Sequence, residues 1–224
     1  MDSLLDSLRA FLIPQGEASA SAIRGVKITE EGEMHSSPGS KSIPFTAEQT
    51  ISAVQSEFRW DARLQTGPIK TLFVTDAYEK GNGFLIAKVA GFIPVANLRG
   101  PDFDKGEIQR YLASIPMCPA ALFNHTSLEW TSIAPQILRV RDRKDPTEAT
   151  VNLEIDAEGR PVACRADRPR LVGKRAILTP WSGIFSDFKE YSGLRIPSRL
   201  KVLWHLPETE YVYFQSEIRS FEVL

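Results

Sequence analysis

Two aspartates fall on strand faces that are otherwise apolar. Side chains along a strand point alternately to its two faces. In residues 72–78 this alternation puts Asp76 on an apolar face, and in residues 181–187 it puts Asp187 on one. A carboxylate in such a place must be paired, protonated or open to a cavity. Arg110, at the mouth of an interior helix, is the predicted partner of either aspartate. These three residues are the catalytic candidates, with a buried ion pair and a general acid–base pair as the alternatives.

Five aromatic side chains are the candidates for ligand contact. On the concave face of a curved sheet, large aromatics line apolar pockets and offer a polar handle at the edge. The alternative is that they fill the core between sheet and helices. The candidates are Trp60, Tyr78, Tyr111, Trp181 and Trp204.

Cys118 and His125 lie seven residues apart across a short helix, a spacing that allows a nucleophile–base pair. No orienting residue or oxyanion motif accompanies them, so a structural role is the alternative. His35 and His205 stand without metal-ligand neighbours. The sequence therefore predicts neither a metal site nor a cofactor.

A basic stretch occupies two later strands. Arg139, Arg141 and Arg143 alternate on one strand face, and a second group of cations follows between 165 and 175, including Lys174. Acidic residues interrupt both groups, and no nucleic-acid motif or interleaved aromatics accompany them. The pattern favours a solvated face over contact with an anionic headgroup or carboxylate, and it predicts no nucleic-acid partner.

The bulk properties are those of a soluble protein. The chain has 224 residues, is 42% hydrophobic and carries a net charge of −1, which gives no general attraction to anionic membranes. The N-terminus carries acids where a secretory signal carries Lys or Arg, and no stretch is long and apolar enough for a transmembrane helix. With two cysteines far apart in sequence, we expect free thiols and a cytoplasmic location.

Hydrophobic periodicity predicts a short helix at the N-terminus, joined through a flexible connection at 15–21 to a first strand-rich half. In that half we expect a strand from Ile69 to Tyr78 and one long strand, 84–98, bent at Gly91. In the second half, residues 148–155 and 161–167 form the clearest hairpin, with Gly159 in a left-handed turn position.

The predicted fold is α+β: one large, strongly curved antiparallel sheet, an open half-barrel, with a few helices packed on it. We expect a single domain over 1–224. It comprises the N-terminal helix and linker (1–22), a first strand half (23–100), a helical segment (101–125) and a second strand half (126–224).

Several segments, in this order along nearly the whole chain, resemble an uncharacterised bacterial family, a domain of unknown function. The strand layout of that family is similar to the lipoprotein localisation factors, periplasmic carriers in which a bent antiparallel sheet wraps apolar ligands beneath helical lids. The segments are Phe58-Arg-Trp-Asp-Ala-Arg, Val74-Thr-Asp-Ala-Tyr-Glu-Lys-Gly-Asn-Gly, Arg110-Tyr-Leu-Ala, the run from Thr179-Pro-Trp-Ser-Gly to Arg195-Ile-Pro, Val202-Leu-Trp-His-Leu and Tyr211-Val-Tyr-Phe.

The leading functional hypothesis is non-covalent binding of an apolar or lipid-like small molecule in the concavity. A cofactor-free enzyme is the first alternative, an isomerase, cyclase or hydrolase that uses acid–base chemistry on an apolar substrate. A structural interaction module is the second. A large pocket distinguishes the first two hypotheses from the third, and a carboxylate with a raised pKa inside it favours the enzyme.

Overall fold

One antiparallel sheet organises the molecule. In the computed structural model, which describes residues 3–67, 70–173 and 175–224, thirteen strands form a single sheet that does not close on itself. From one edge to the other, the first six strands of the chain lie in reverse order, followed by the last seven strands, also in reverse order. The predicted fold class, a large antiparallel sheet with few helices, is confirmed.

The two strand halves meet at the centre of the sheet, where β1 pairs with β2 on one side and with β13 on the other. The first half consists of α1 (Ser3–Leu12), α2 (Glu17–Ala20), β1 (Gly25–Met34), β2 (Ile43–Ser52), β3 (Phe58–Gln65), β4 (Thr71–Glu79), β5 (Asn82–Val89) and β6 (Ile93–Arg99). The predicted strand start at Ile69 lies outside the described residues.

The helical segment connects the two edges of the sheet, because it follows edge strand β6 and precedes edge strand β7. It consists of α3 (Pro101–Ala113), a 3₁₀ turn (Ile115–Met117) and α4 (Ala121–Asn124). The second half consists of β7 (Leu128–Ala134), β8 (Ile137–Asp142), β9 (Val151–Ile155), β10 (Pro161–Val172), β11 (Arg175–Tyr191), β12 (Leu194–Leu206) and β13 (Thr209–Val223). Among the described residues, no helix is long and apolar enough to span a bilayer.

Two predictions about the first half are wrong. Residues 84–98 form two paired strands, not one bent strand, because Ala90 and Gly91 take φ values of 53° and 82° and reverse the chain. Two consecutive left-handed residues match the twist of a tight hairpin. The stretch 15–21, which we expected to be a flexible connection, contains the helical turn α2.

The helical segment fills one end of the concavity. Tyr111, Leu112 and Ile115 are fully buried, and their neighbours in the 3₁₀ turn and α4 are buried with them. Gly83 of β5 allows α3 to lie close to the sheet, since a Cβ at this position would stand 3.0 Å from the Phe103 carbonyl oxygen. The segment is therefore part of the core and does not form a lid.

α1 packs on the outside of the closed end through its apolar stripe. Leu8 and Leu12 are fully buried, and Phe11 meets Phe188 of β11 edge to face at 5.2 Å between ring centroids. The turn between β9 and β10 touches the same helix, because Gly159 lies against the Ser7 backbone. The φ of Gly159 is 83°, which confirms the predicted left-handed turn.

Gly159→Ala should destabilise the protein more than the turn conformation alone requires. The left-handed φ costs about 1 kcal/mol for alanine. In addition, the new Cβ would stand 2.4 Å from the Ser7 carbonyl oxygen, and overpacking of this kind costs about 1–3 kcal/mol. Gly39 is the matched control, because its φ is 72° and a Cβ there meets nothing within 4 Å.

Urea denaturation of both variants measures the difference. We expect Gly39→Ala to lose about 1 kcal/mol and Gly159→Ala clearly more. Equal losses would contradict the contact between the β9–β10 turn and α1.

Candidate functional site

The other end of the concavity is an open cavity of about 450 Å³. Its walls come from both halves of the sheet, and α3 with the 3₁₀ turn forms its floor. The strand ends at Met34, Leu64 and Leu72 lie at its mouth, on the side of the sheet away from the start of α3. The concave face is thus filled at one end and hollow at the other.

Three of the predicted tryptophans line this cavity: Trp60, Trp181 and Trp204. The indole N–H of Trp60 donates to the Glu30 carboxylate at 2.7 Å. The indole N–H of Trp181 donates to the Tyr213 hydroxyl at 3.1 Å. These donors are engaged within the wall, so the rings present mainly apolar area to the cavity.

The floor carries a network of four charged side chains, of which Asp76, Glu107 and Arg168 are buried and Arg110 is half-buried. Arg110 of α3 forms an ion pair with Asp76 of β4. One turn earlier, Glu107 pairs with Arg168 of β10 at 3.3 Å. Arg168 also donates to the Gly106 carbonyl oxygen at 2.6 Å. Since β4 and β10 belong to opposite halves of the sheet, α3 joins the two halves through these pairs.

Aromatic rings hold both arginines in place. The Arg110 guanidinium lies 4.7 Å from the ring centroid of Phe58 and 5.2 Å from that of Trp60. The Arg168 guanidinium lies 4.8 Å from the centroid of Trp181. Arginine stacks on aromatic faces while it keeps in-plane hydrogen bonds to carboxylates. The tryptophan wall and the charged floor are therefore one packed unit.

Glu107 is the most perturbed carboxyl of the cavity. Burial, and then the neighbouring negative charge of Asp76, raise the pKa of Glu107 to about 8, and the two arginines oppose this shift. Among the described residues, Oε2 of Glu107 and Oδ1 of Asp76 are buried without a hydrogen-bond partner. A hydrogen bond with Asp76 contributes to the raised pKa of Glu107, so the protonated form of Glu107 can donate to that carboxylate.

Burial and neighbouring charges also shift the pKa values of Arg110 and Glu30. Burial works against the charge of Arg110, but Asp76 and Glu107 outweigh it and hold the pKa of Arg110 above its ordinary value. Burial raises the pKa of Glu30, whose carboxylate lies across the cavity wall. The site therefore combines apolar walls with a floor that contains a carboxyl group of raised pKa.

The structure brings together Arg110 and Asp76, as the sequence predicted, but not Asp187. The Asp187 side chain is exposed and pairs with Arg199 at 3.1 Å. Asp187 has a φ of 53°, which breaks the alternation of β11 at this point. Phe188 turns inward instead and packs on the core. The prediction that Asp187 shares the apolar face is therefore wrong.

Tyr78 and Tyr111 do not line the cavity, in contrast to their predicted role. Tyr78 shares the strand face of Asp76, but it pairs with Gly83, where α3 lies directly on the sheet. The Tyr111 hydroxyl donates to the Ser52 carbonyl oxygen at 3.0 Å within the packed end. Both rings are core residues because the helix occupies their part of the concave face.

The nucleophile–base hypothesis for Cys118 and His125 finds no support in the geometry. The Cys118 sulfur lies 3.7 Å from the Ile51 carbonyl oxygen, and burial raises the pKa of its thiol to about 12. The His125 ring bonds to Ser56 at 3.2 Å and to Ser127 at 3.3 Å. Burial lowers the pKa of His125, so the ring is neutral at pH 7.

The basic strand face is solvated and internally paired. Arg139 donates to Asn152 at 2.9 Å and Arg141 to Glu129 at 2.8 Å. Lys174 lies outside the described residues. Within the part of the chain that the structure describes, no three metal-ligating side chains come together.

A wider depression of 960 Å³ lies on the convex face and is the alternative site. Its charged walls pair with each other, as in the Arg59–Asp61 contact at 2.7 Å and the Arg219–Glu31 contact at 2.5 Å. The concave cavity is better enclosed and more apolar, and these are the properties of small-molecule sites.

Sequence reasoning missed Glu107 and Arg168. Glu107 sits in a helix start rich in acids, which is typical of a solvated first turn. Arg168 belongs to a basic run that favours a solvated face. Gly106, next to Glu107, is no signal for this pair, because a Cβ there would make only ordinary contact with the Arg168 terminal nitrogen, at 3.6 Å.

Solved structures of the same fold place the molecule in a structural class. A LolA superfamily protein from Nitrosomonas europaea has a TM-score of 0.51 at 11% identity, and the match covers 99% of this chain and 92% of that one. A putative outer membrane lipoprotein-sorting protein domain from Vibrio parahaemolyticus matches at 0.51 and 9% identity over 94% and 90%. A DUF1329 family protein from Desulfovibrio piger matches at 0.51 and 7% identity over 99% and 92%.

The chain belongs to DUF6544, a family of unknown function whose model matches residues 6–216. The resemblance to an uncharacterised family with a lipoprotein-carrier-like layout is thereby confirmed. No curated protein matches the chain.

Arg110→Met should destabilise the protein by about 3–5 kcal/mol, because it leaves the Asp76 charge buried without its partner. The double variant Asp76→Asn/Arg110→Met removes that lone charge and should recover part of the loss. Urea denaturation of the two variants and the parent at pH 7 gives the comparison. A loss below about 1 kcal/mol for Arg110→Met would refute the role of this pair.

Glu107→Gln should change how stability depends on pH. The pKa of Glu107 in the folded state lies above its ordinary value of 4.5, so folding favours the protonated form. The corresponding stability is present below about pH 4.5 and is lost as the pH rises to about 8. Glutamine stays neutral and can donate to Asp76 at every pH.

The free energy of unfolding of Glu107→Gln relative to the parent should therefore increase between about pH 5 and 8 and level off above. The slope is at most about 1.4 kcal/mol per pH unit. Urea denaturation of both proteins across pH 5–9 measures it. Parallel profiles would show that Glu107 is ionised at neutral pH.

Proposed function

We propose that the protein binds an apolar or lipid-like small molecule, non-covalently, in the open half of the concavity. The observation that carries the proposal is the 450 Å³ cavity with three tryptophans in its walls. Pockets of roughly 300–1,000 Å³ with apolar and aromatic linings and few polar groups are typical of small-molecule sites.

The wall is built to keep its shape without a ligand. Trp60 and Trp181 are fixed by hydrogen bonds at one end and by stacked arginines on their faces. Trp204 stacks on Tyr213 with 5.8 Å between ring centroids. A preformed wall lowers the ordering cost of binding. The charged floor suits a ligand that is apolar along most of its length and polar at one end.

The similar structures support the same proposal at the level of the fold. One of them is described as a putative outer membrane lipoprotein-sorting protein domain. For this chain we propose a cytoplasmic location, which the two free and buried cysteines support.

Glu107 favours a second candidate function, a cofactor-free enzyme that uses acid–base chemistry. A carboxyl with a pKa of about 8 exists in both protonation states near neutral pH, as a general acid or base requires. Its contact with Asp76 gives the proton a second position on the floor of the cavity. In this candidate, Glu107 exchanges the proton with the substrate, and Arg110 positions Asp76 through their ion pair.

Ligand binding should raise the free energy of unfolding, by about 2.7 kcal/mol at a ligand concentration one hundred times its dissociation constant. Thermal unfolding of protein purified without detergent, in the presence of fatty acids, isoprenoids and phospholipids, measures this. Trp181→Ala should weaken the response because it removes a wall of the cavity. Trp130→Ala is the control, since Trp130 of β7 lies outside the lining.

An absent thermal shift with every compound, or equal loss in the two tryptophan variants, would contradict the proposal. Glu107→Gln separates the two candidate functions. Both candidates predict that this variant keeps its thermal shift. They differ in conversion of the compound, followed by mass spectrometry: an enzyme converts the compound and loses this activity in Glu107→Gln, whereas a binding protein converts nothing in either form.

A further inference from the structure

The β10–β11 hairpin projects beyond the rest of the sheet. β10 pairs with β9 only up to Arg165, and β11 pairs with β12 only from Trp181 onward. Between these points, residues 167–172 and 175–180 pair only with each other within the described part of the chain. The hairpin therefore forms a two-stranded ribbon that extends past its neighbours at the mouth of the cavity, where Leu171 joins the lining.

The β5–β6 hairpin ends at the same mouth, on the other half of the sheet. Val89 pairs with Leu72, a residue of the cavity lining, and the chain reverses directly after it. Phe92, just past the turn, is 75% exposed. The cavity thus opens between two hairpin tips, one from each half of the sheet.

Exposed apolar side chains concentrate on these two hairpins. The described residues include eleven large apolar side chains that are exposed, and seven of them lie here. An exposed cluster of this kind marks a surface that meets an apolar partner. The seven are Phe92, Ile93 and Val95 on one hairpin and Leu171, Val172, Ile177 and Leu178 on the other.

The charges around the mouth are mostly positive. Among the described residues of the hairpin tips and connecting turns at this end of the sheet, five are basic. Two are acids on the β12–β13 turn, one of which pairs with His205 at 3.0 Å. The basic residues are Lys41, Lys70, Lys88, Arg170 and Arg175, and the acids are Glu208 and Glu210. Apolar tips among basic side chains are the combination that binds anionic bilayer surfaces.

We propose that the β5–β6 and β10–β11 hairpin tips dock the protein on an anionic lipid bilayer, with the mouth of the cavity against the membrane. The apolar tips enter the interfacial layer and the basic residues contact the headgroups. This contact concerns the rim and takes place whether the cavity is empty or filled, so it goes beyond the proposed ligand binding.

A membrane fits this surface better than a second copy of the chain. In a symmetric dimer the same patch would face itself, and the basic rims would oppose each other. The apolar residues are also divided between two separate tips, with the cavity mouth between them. A fluid bilayer can accept both tips at once without a complementary shape.

Vesicle sedimentation of the full-length protein tests the proposal. We expect binding to phosphatidylcholine vesicles that contain about 30% phosphatidylglycerol, and much weaker binding to phosphatidylcholine alone. Two double variants, Phe92→Ser/Ile93→Ser and Ile177→Ser/Leu178→Ser, should each lower the partition coefficient about tenfold, which corresponds to about 1.4 kcal/mol. Lys88→Ser/Arg175→Ser should remove most of the preference for anionic vesicles.

The control is Ile133→Ser/Ile184→Ser, which replaces two exposed apolar residues away from the mouth and should leave the partition unchanged. All the substituted positions are exposed, and unfolding midpoints confirm that each variant is folded. Equal binding to neutral and anionic vesicles, or an equal loss in the control, would overturn the proposal. So would a dimer in light scattering that the tip variants abolish.

The experiment also separates this proposal from ligand binding. Thermal shifts with apolar compounds should persist in the tip variants, because the tryptophan walls and the charged floor are unchanged. Vesicle binding without any thermal shift would support the docking surface and count against the cavity's proposed function.

Discussion

The network of Arg110, Asp76, Glu107 and Arg168 is the constraint on which the concave face depends. An open sheet of thirteen strands cannot fill its own concavity, and α3 fills only one end of it. Burying ionised groups is costly unless each finds a partner. Here the pairs tie α3 to β4 and to β10, so the same contacts that satisfy the charges also hold the two halves of the sheet at a fixed separation.

This arrangement explains why the cavity has a polar floor beneath apolar walls. The arginines stack on Trp60 and Trp181, so the walls and the floor stabilise each other. Replacing the network with apolar residues would extend the packed core towards the mouth. The same floor holds Glu107, whose pKa burial and the charge of Asp76 raise to about 8.

Local patterns in the sequence predicted much of the fold but less of the site. Alternation identified Asp76, and its pairing with Arg110 followed from the rule that a buried carboxylate needs a partner. The same alternation failed at Asp187, because a single left-handed residue changes the face of a strand without any signal in residue type. Glu107 and Arg168 become partners only through the packing of α3 across the sheet. Sequence periodicity contains no information on that contact. The same packing of α3 also places Tyr78 and Tyr111 in the core.

The central claim is that the open half of the concavity holds a small apolar or amphipathic molecule. The most direct measurement is native mass spectrometry of protein that has been purified without detergent. The test variant is Val202→Trp, because a tryptophan at this lining position fills the cavity. The control is Ile184→Trp, which places the same ring on an exposed position of the neighbouring strand. The account predicts a bound compound on the parent and on Ile184→Trp that is absent from Val202→Trp. No bound compound on any of the three proteins, or the same amount on all of them, would contradict it.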